Sequence, residues 1–498
     1  MPDVRALSPV AEPALRVPVR FAGAGAGLGE LSWGQREMWR TILRQRSWLP
    51  IGGWSRLAPG TSVEDVASEL RWIMRRYPTT RTRLRFAPGG GSGSDRAKPS
   101  SEPDLPPGRA LQSVAASGTI ALEVYDCPDE GDPEAFVAAL DARDRARPYD
   151  FVEEWPIRMA VVRHRGAPTH LSTVMTHLVT DGLGGRILLA EVADRAAAPE
   201  DTGTPPLEQA RWQGSEAGRR QNASALRHWE RTLRRLPAPP PPSTVDGPRY
   251  YRGELRTRAL PVALHVLSER ADVDSSQVLM TLLAMAAAAG TRRAATASAG
   301  TATGAARGLA AGAALGMGPA AGDGAPVVLR PMVSNRFRRG LDRVVAMVAQ
   351  RGICAADVAG VPYAEALRRV GAAAMAAYKY AYVDPDDAAA LADRLGADPE
   401  AGLWFNDRRV ATRQGFAGAV PTADELRAAP PASFRWTVAQ DDPFDPLSVD
   451  VDDAPDGFLL TVFTDAGRLS PAGAEALVRE AEALGVHEAA LLLESEDR

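Results

Sequence analysis

Two periods of apolar residues run through the chain. Helical spacing places Val66, Leu70, Ile73 and Met74 on one face behind Ser62-Val63-Glu64-Asp65, which reads as a capping box. A second capping box, Ser32 with Gln35, opens a helix that carries Trp39 and Ile42 on one side. Further helices are predicted over Pro133–Arg145 (Phe136 and Leu140 on one face) and over Gln277–Ala289 behind Asp274-Ser275-Ser276. The same pattern gives Tyr363–Tyr382, with Leu367, Val370, Met375 and Tyr378 inward, and Ala472–Leu484 after Ser470-Pro471. Alternating or continuous apolar runs predict strands at Arg16–Phe21, within Leu111–Tyr125, and at Ile157–His164, Leu171–Met175, Val327–Val333, Leu403–Asp407, Phe434–Val438, Leu447–Val451 and Phe458–Phe463. Pro331 interrupts the Val327 strand.

The two halves repeat a crudely similar order of strands, helix, strand and helix, which is an α/β pattern. Leu236–Pro248 is Pro-rich, reads as a stiff connector, and divides the chain into an N-terminal lobe (1–235) and a C-terminal lobe (249–498). Residues 1–14 read as disordered, Gly89–Gly108 as a flexible Gly/Ser/Pro loop, and Thr291–Pro326 as an Ala/Gly-rich mobile insertion or a lid.

Composition narrows the function. The 498 residues are 45% apolar and 24% charged, as in ordinary globular proteins, with room for two or three domains. A net charge of −4 speaks against DNA or an anionic membrane as partner. The two cysteines, Cys127 and Cys354, cannot build a disulfide framework or a four-thiolate zinc site, and buried thiols in a reducing cytoplasm is the expectation. The first residues lack the apolar core of a secretory signal, and no run of about 18 apolar residues is present. No Walker loop, GxGxxG after a strand, HExxH, paired CxxC or GxSxG elbow occurs, so no metal is expected.

The candidate chemistry lies at Leu171–Gly185, LSTVMTHLVTDGLGG. A β-prone run ends at Thr176-His177. Asp181 and Gly182 follow, then Gly184, Gly185 and a helical pattern over Arg186–Asp194. Of the six histidines, His177 alone has a strand before it and a Gly-rich turn after it. Backbone N–H groups at such a helix head can stabilise developing negative charge, and an adjacent imidazole can take a proton from a nucleophile. Gly182 would permit a tight turn and a close backbone approach, and its N–H is a candidate oxyanion donor. The same residues also fit a core histidine before an Asp-Gly turn.

THLVTDG resembles the His-His-x-x-x-Asp-Gly signature of the condensation-domain superfamily, which comprises nonribosomal peptide synthetase condensation domains and related acyltransferases that use carrier-protein or coenzyme A thioesters. The second histidine matches His177, the aspartate Asp181 and the glycine Gly182; Thr176 stands where the first histidine would be. Ser32–Trp39 resembles the first core motif of that family. Arg76-Tyr77-Pro78-Thr79-Thr80-Arg81-Thr82-Arg83-Leu84 is similar to the second, with Arg76, Arg81 and Thr82 matching, Tyr77 replacing a histidine, and Thr80 and Leu84 departing from a leucine and a phenylalanine. Pro148–Phe151 with Trp155–Arg158 resembles a later block that ends in Arg158. Ser334-Asn335-Arg336 resembles an Asn-Arg turn whose arginine, in the family, pairs with the motif aspartate. Arg336 is therefore the candidate partner of Asp181, with a surface arginine beside Arg338 and Arg339 as the other reading. Leu226–Leu233 resembles a family helix with a Tyr-Trp pair, in which His228 takes the tyrosine position and is read as an ordinary helix-surface or packing histidine, not a second base.

The resemblance implies a pseudo-dimer of two chloramphenicol-acetyltransferase-like lobes with a tunnel between them. It implies a stand-alone acyltransferase of natural-product biosynthesis joining a thioester-bound aminoacyl, peptidyl or fatty acyl donor to an amine or alcohol. The donor would arrive on the phosphopantetheine of a carrier protein, or on coenzyme A or an aminoacyl-tRNA, and the acceptor would be a small molecule or peptide. His177 would act as general base or positioning group, Asp181 as a brace, Thr176, Arg158, Arg336 and Gly184 in substrate binding or loop bracing, with no bound cofactor. Thr176 also fits a silent homologue that docks a carrier protein or recruits another enzyme. An epimerase-like member is a third reading.

Overall fold

The computed structural model describes residues 12–86, 109–236, 245–298, 326–398, 400–409 and 421–496. The loop expected at Gly89–Gly108, and residues 299–325 of the expected insertion, lie outside them. The chain is mixed α/β and divides by contacts into two compact units: 1–220 with 334–349, and 221–333 with 350–498.

In the first unit, β1 (Leu15–Ala22), β3 (Pro50–Arg56), β6 (Ser117–Cys127), β7 (Ile157–His164) and β8 (Ala167–Thr176) form a five-stranded sheet in the order β1-β6-β7-β8-β3. A small sheet joins β2 (Gly27–Glu30), β5 (Ala110–Val114) and β4 (Thr82–Phe86) in the order β2-β5-β4. Helices α1 (Trp33–Gln45) and α2 (Val63–Arg76) both begin with the capping boxes expected at Ser32 and Ser62. Val66, Leu70, Ile73 and Met74 of α2 sink into a core with Leu122, Val161 and Met175 of the sheet. Helix α3 (Pro133–Ala146) closes a second core with Val137, Leu140 and Tyr125. Then follow α4 (Gly182–Ala193), α5 (Pro206–Gln213) and α6 (Glu216–Leu233), and the division between the units falls within α6, ahead of the Pro-rich segment.

β3 is absent from the sequence reading, and its Pro50, Gly52 and Gly53 are residues depleted in strands. Gly52 lies at φ +113°, and a Cβ there would sit 2.1 Å from the Thr173 carbonyl oxygen. The close approach of β8 demands a glycine, and the pairing runs from Pro50 opposite Thr176 to Arg56 opposite His170.

In the second unit, an eight-stranded sheet contains β9 (Tyr250–Thr257), β10 (Val327–Val333), β11 (Gln350–Arg351), β12 (Cys354–Ala356), β13 (Leu403–Asp407), β14 (Ser433–Gln440), β15 (Leu447–Ala454) and β16 (Gly457–Asp465). Pro331 does not break β10; it sits within the parallel pairing to β13. Helices α7 (Ala259–Ala271), α8 (Ser275–Ser298), α9 (Tyr363–Tyr380) and α12 (Pro471–Glu496) contribute to its core, and α10 (Pro385–Leu395) and α11 (Ala423–Arg427) complete the unit. α8 continues into the stretch expected as an insertion, and α12 runs past Leu484.

One inward position is corrected: Met375 is 66% exposed. The buried stripe of α9 runs through Ala366, Leu367, Val370, Gly371, Ala374 and Ala377, with Tyr378 packed against the same core, so small side chains share the packed face with the expected Leu367 and Val370. His228 is buried, with its ring stacked on Tyr380 and Nε2 on the Ile353 carbonyl. Among the described residues, no single helix is long and apolar enough to cross a membrane.

Candidate functional site

The strand-to-helix junction expected around His177 is present. β8 ends at Thr176, and Asp181 is the N-cap of α4, its Oδ1 accepting from the Gly184 N–H at 2.8 Å. The dipeptide Thr176-His177 is held by two successive carbonyls. The Thr176 hydroxyl donates to the Trp48 carbonyl at 3.1 Å and accepts from the Leu178 N–H at 3.3 Å, while the His177 N–H donates to the Leu49 carbonyl at 3.0 Å. Leu49 sits at φ +50°, a left-handed conformation that costs a non-glycine residue about 1–2 kcal/mol and that aims its carbonyl at His177. Thr176 is 1% exposed, and His177 is half-buried.

Asp181 is saturated by donors. The Arg336 guanidinium reaches Oδ2 through Nη1 and Oδ1 through Nη2, both at 2.8 Å. The Val348 and Ala349 N–H groups add contacts to Oδ2 at 3.0 and 2.9 Å. With the Gly184 N–H, both oxygens are engaged, so the carboxylate braces and has no lone pair left to relay a proton. Arg336 also donates to the Val344 and Ala346 carbonyls, and Asn335 to that of Val348, so the 334–349 segment is cross-braced on itself. This segment follows β10 in sequence yet belongs to the first unit. It also abuts α1, where a Cβ on Gly34 would lie 2.3 Å from the Met347 carbonyl oxygen.

The glycines differ from expectation. Gly182 has helical backbone and open space around its Cβ position, so the local geometry does not require a glycine there. Gly184 is the crowded one, with a Cβ meeting Thr180 Oγ1 at 2.5 Å and Arg336 Nη2 at 3.0 Å. Among the described residues, no acceptor meets the N–H of Gly182 or Leu183. Both residues are exposed, and these first two donors of α4 have the positive end of the helix dipole behind them.

Arg158 is consumed by structure. Its nitrogens donate to Glu154 and to the carbonyls of Asp144, Arg147 and Pro148, and its guanidinium lies 4.9 Å from the Trp48 ring centre. That leaves it locking the Trp48 turn and the 144–154 segment together, with no donor to spare for a ligand.

Across from α4, Tyr77 OH and Arg76 Nε both donate to Glu191 Oε2, at 2.6 and 2.7 Å, and the Thr79 hydroxyl donates to the Val179 carbonyl. Burial and the Glu191 carboxylate push the Tyr77 phenol well above its ordinary value, so it remains a donor. Among the described residues, no cluster of His, Cys, Asp and Glu could hold a metal ion.

No family model matches the chain, and no curated protein does. Solved structures do. The condensation domain of chain release from the enacyloxin polyketide synthase superposes with a TM-score of 0.63 at 17% identity, covering 99% of this chain and 84% of that one. The chain has the condensation-domain fold. The X-domain of teicoplanin biosynthesis, in its complex with OxyB, superposes at 0.60 and 15% identity over 96% of both chains. A double mutant of the starter condensation domain of rhizomide synthetase, in complex with C8-CoA and Leu-SNAC, does so at 0.59 and 14% identity, covering 93% of this chain and 94% of that one.

Several residues that hold the site in this condensation fold went unread in the sequence. Trp48 and Leu49 act through backbone carbonyls, and Val348 and Ala349 through N–H groups, which side-chain identity does not report. Glu191 did leave a signal, as one carboxylate in the apolar run Ile187–Ala193.

Proposed function

We propose that this protein is a condensation-type acyltransferase that joins a thioester-bound acyl, aminoacyl or peptidyl donor to an amine or alcohol. The observation that carries the reading is the position of His177 in the condensation fold, anchored at the end of β8 and followed by a helix whose first two N–H groups are open. The acceptor's nucleophile loses its proton to His177 as it attacks the thioester carbonyl. The oxyanion forms against the N–H groups of Gly182 and Leu183, and its collapse expels the thiolate, which takes the proton back from His177 and leaves as the thiol. Asp181 and Arg336 keep the helix head in register with His177. No covalent enzyme intermediate and no bound cofactor are needed. The donor is carried on the phosphopantetheine of a carrier protein or on coenzyme A, in keeping with the C8-CoA in the rhizomide synthetase domain.

The test is product formation, by mass spectrometry, from a panel of acyl thioesters and acceptors with wild type and His177→Ala. A loss on the order of 10²-fold or more in the variant is the expected result for a general base. Equal rates would remove His177 from the chemistry. A second reading, a protein that recruits another enzyme without catalysis, draws on the likeness to the X-domain bound to OxyB and on Thr176. Absence of product with every carrier-bound donor would favour it.

A further inference from the structure

Residues 76–79 touch the His177 loop and its helix at separated points. Thr79 holds the Val179 carbonyl, just after His177; Tyr77 and Arg76 hold Glu191, near the far end of α4; and Arg76 also reaches the Pro199 carbonyl beyond it. Glu191 is 6% exposed and Tyr77 1%. The other carboxylate oxygen, Glu191 Oε1, is buried with no hydrogen-bond partner, so the Tyr77 and Arg76 donors on Oε2 are its whole support. α4 is a short helix, and one of its ends is clamped by Asp181. A second clamp ten residues along removes its freedom to swing or rotate about the first, and with it the freedom of the open N–H pair relative to His177.

We propose that Tyr77 is a positioning residue for the His177 loop, acting through Glu191 on α4. This rests on the acyltransferase reading for its effect on rate, but not for its effect on the loop. The phenol suits the task because burial keeps it protonated, so the bond to Glu191 persists across the pH range in which an imidazole titrates.

The molecule supplies its own control. Tyr125 OH donates to Glu123 at 2.6 Å and accepts from Arg143 at 2.8 Å, a comparable Tyr–Glu–Arg cluster tied to α3 and not to α4. Tyr77→Phe, Tyr77→His and Tyr125→Phe would be compared with wild type by turnover and by hydrogen–deuterium exchange of peptides spanning residues 177–186. The expected result is a kcat about tenfold lower in Tyr77→Phe with KM unchanged, the scale of one lost charge-assisted hydrogen bond. Exchange over 177–186 should be faster in that variant, both effects should be partly restored in Tyr77→His, and neither should appear in Tyr125→Phe. Equal kcat losses in the two phenylalanine variants, or unchanged exchange over 177–186 in Tyr77→Phe, would overturn the proposal. If wild type yields no product, the acyltransferase reading falls alone, and the exchange comparison still decides whether Tyr77 holds the loop.

Discussion

The Arg336 guanidinium grips both carboxylate oxygens of Asp181 at 2.8 Å, with the two side chains 8% and 4% exposed. Removing one partner leaves the other buried and uncompensated. Arg336→Ala is expected to cost about 3–5 kcal/mol, and Arg336→Lys most of that, because an ammonium cannot reproduce the fork. Denaturant titration of the two variants with Asp181→Asn, read as a double-mutant cycle, measures the coupling.

Thr176 already satisfies the Trp48 carbonyl and the Leu178 N–H, so restoring a histidine there should not improve the protein. Thr176→His must fit an imidazole into a site 1% exposed and is expected to lose about 1–3 kcal/mol without a gain in turnover. Thr176→Val keeps the shape, strips the hydroxyl, and should lose a similar amount. Thermal melting alongside the product assay reads both, and a faster Thr176→His enzyme would show that the missing imidazole is a chemical deficit.

The two glycines at the head of α4 should separate stability from activity. Gly184→Ala drives a methyl into Thr180 and Arg336 and should destabilise by about 2 kcal/mol or more. Gly182→Ala has open space, should leave stability equal or raise it by about 0.5–1 kcal/mol, and should lower turnover if the donor carbonyl docks there. An unimpaired Gly182→Ala enzyme would move the oxyanion away from this helix head.

In the second unit, burial raises the Asp450 carboxyl from 3.8 to about 6, with Asp445 and Asp452 adding to the shift and Arg408, 2.9 Å away, opposing it. The folded state therefore holds a proton that the unfolded chain releases, so the contribution of Asp450 to stability is present below pH 3.8 and lost as pH rises through about 6. Asp450→Asn should stabilise the protein at pH 7 by about 3 kcal/mol and make little difference near pH 4. Melting curves of both proteins across that range test the sign.

Period and caps were legible in the residues alone. The capping boxes at Ser32 and Ser62, the exact bounds of Ile157–His164 and Leu403–Asp407, and the strand–turn–helix around His177 are local: a hydroxyl three residues before its partner, or alternating apolar positions, acts within a few bonds. The α/β order of elements followed from the same signals, and the resemblance of THLVTDG and Asn335-Arg336 to known motifs singled out Asp181 and Arg336 before any distance was known.

What the residues could not disclose is what depends on chain segments meeting from afar. β3 exists because β8 pairs with it, and its glycines are set by that contact. Thr176 and His177 are anchored by carbonyls of Trp48 and Leu49, and Asp181 by N–H groups of Val348 and Ala349, groups every residue carries and no composition distinguishes. Gly184 is crowded by Arg336 and Ala346, neighbours distant in sequence, whereas Gly182 is open. Helix and strand were written locally; the alignment of the histidine with its helix head was decided by tertiary packing, because hydrogen bonds between remote backbones form only once the chain has folded around them.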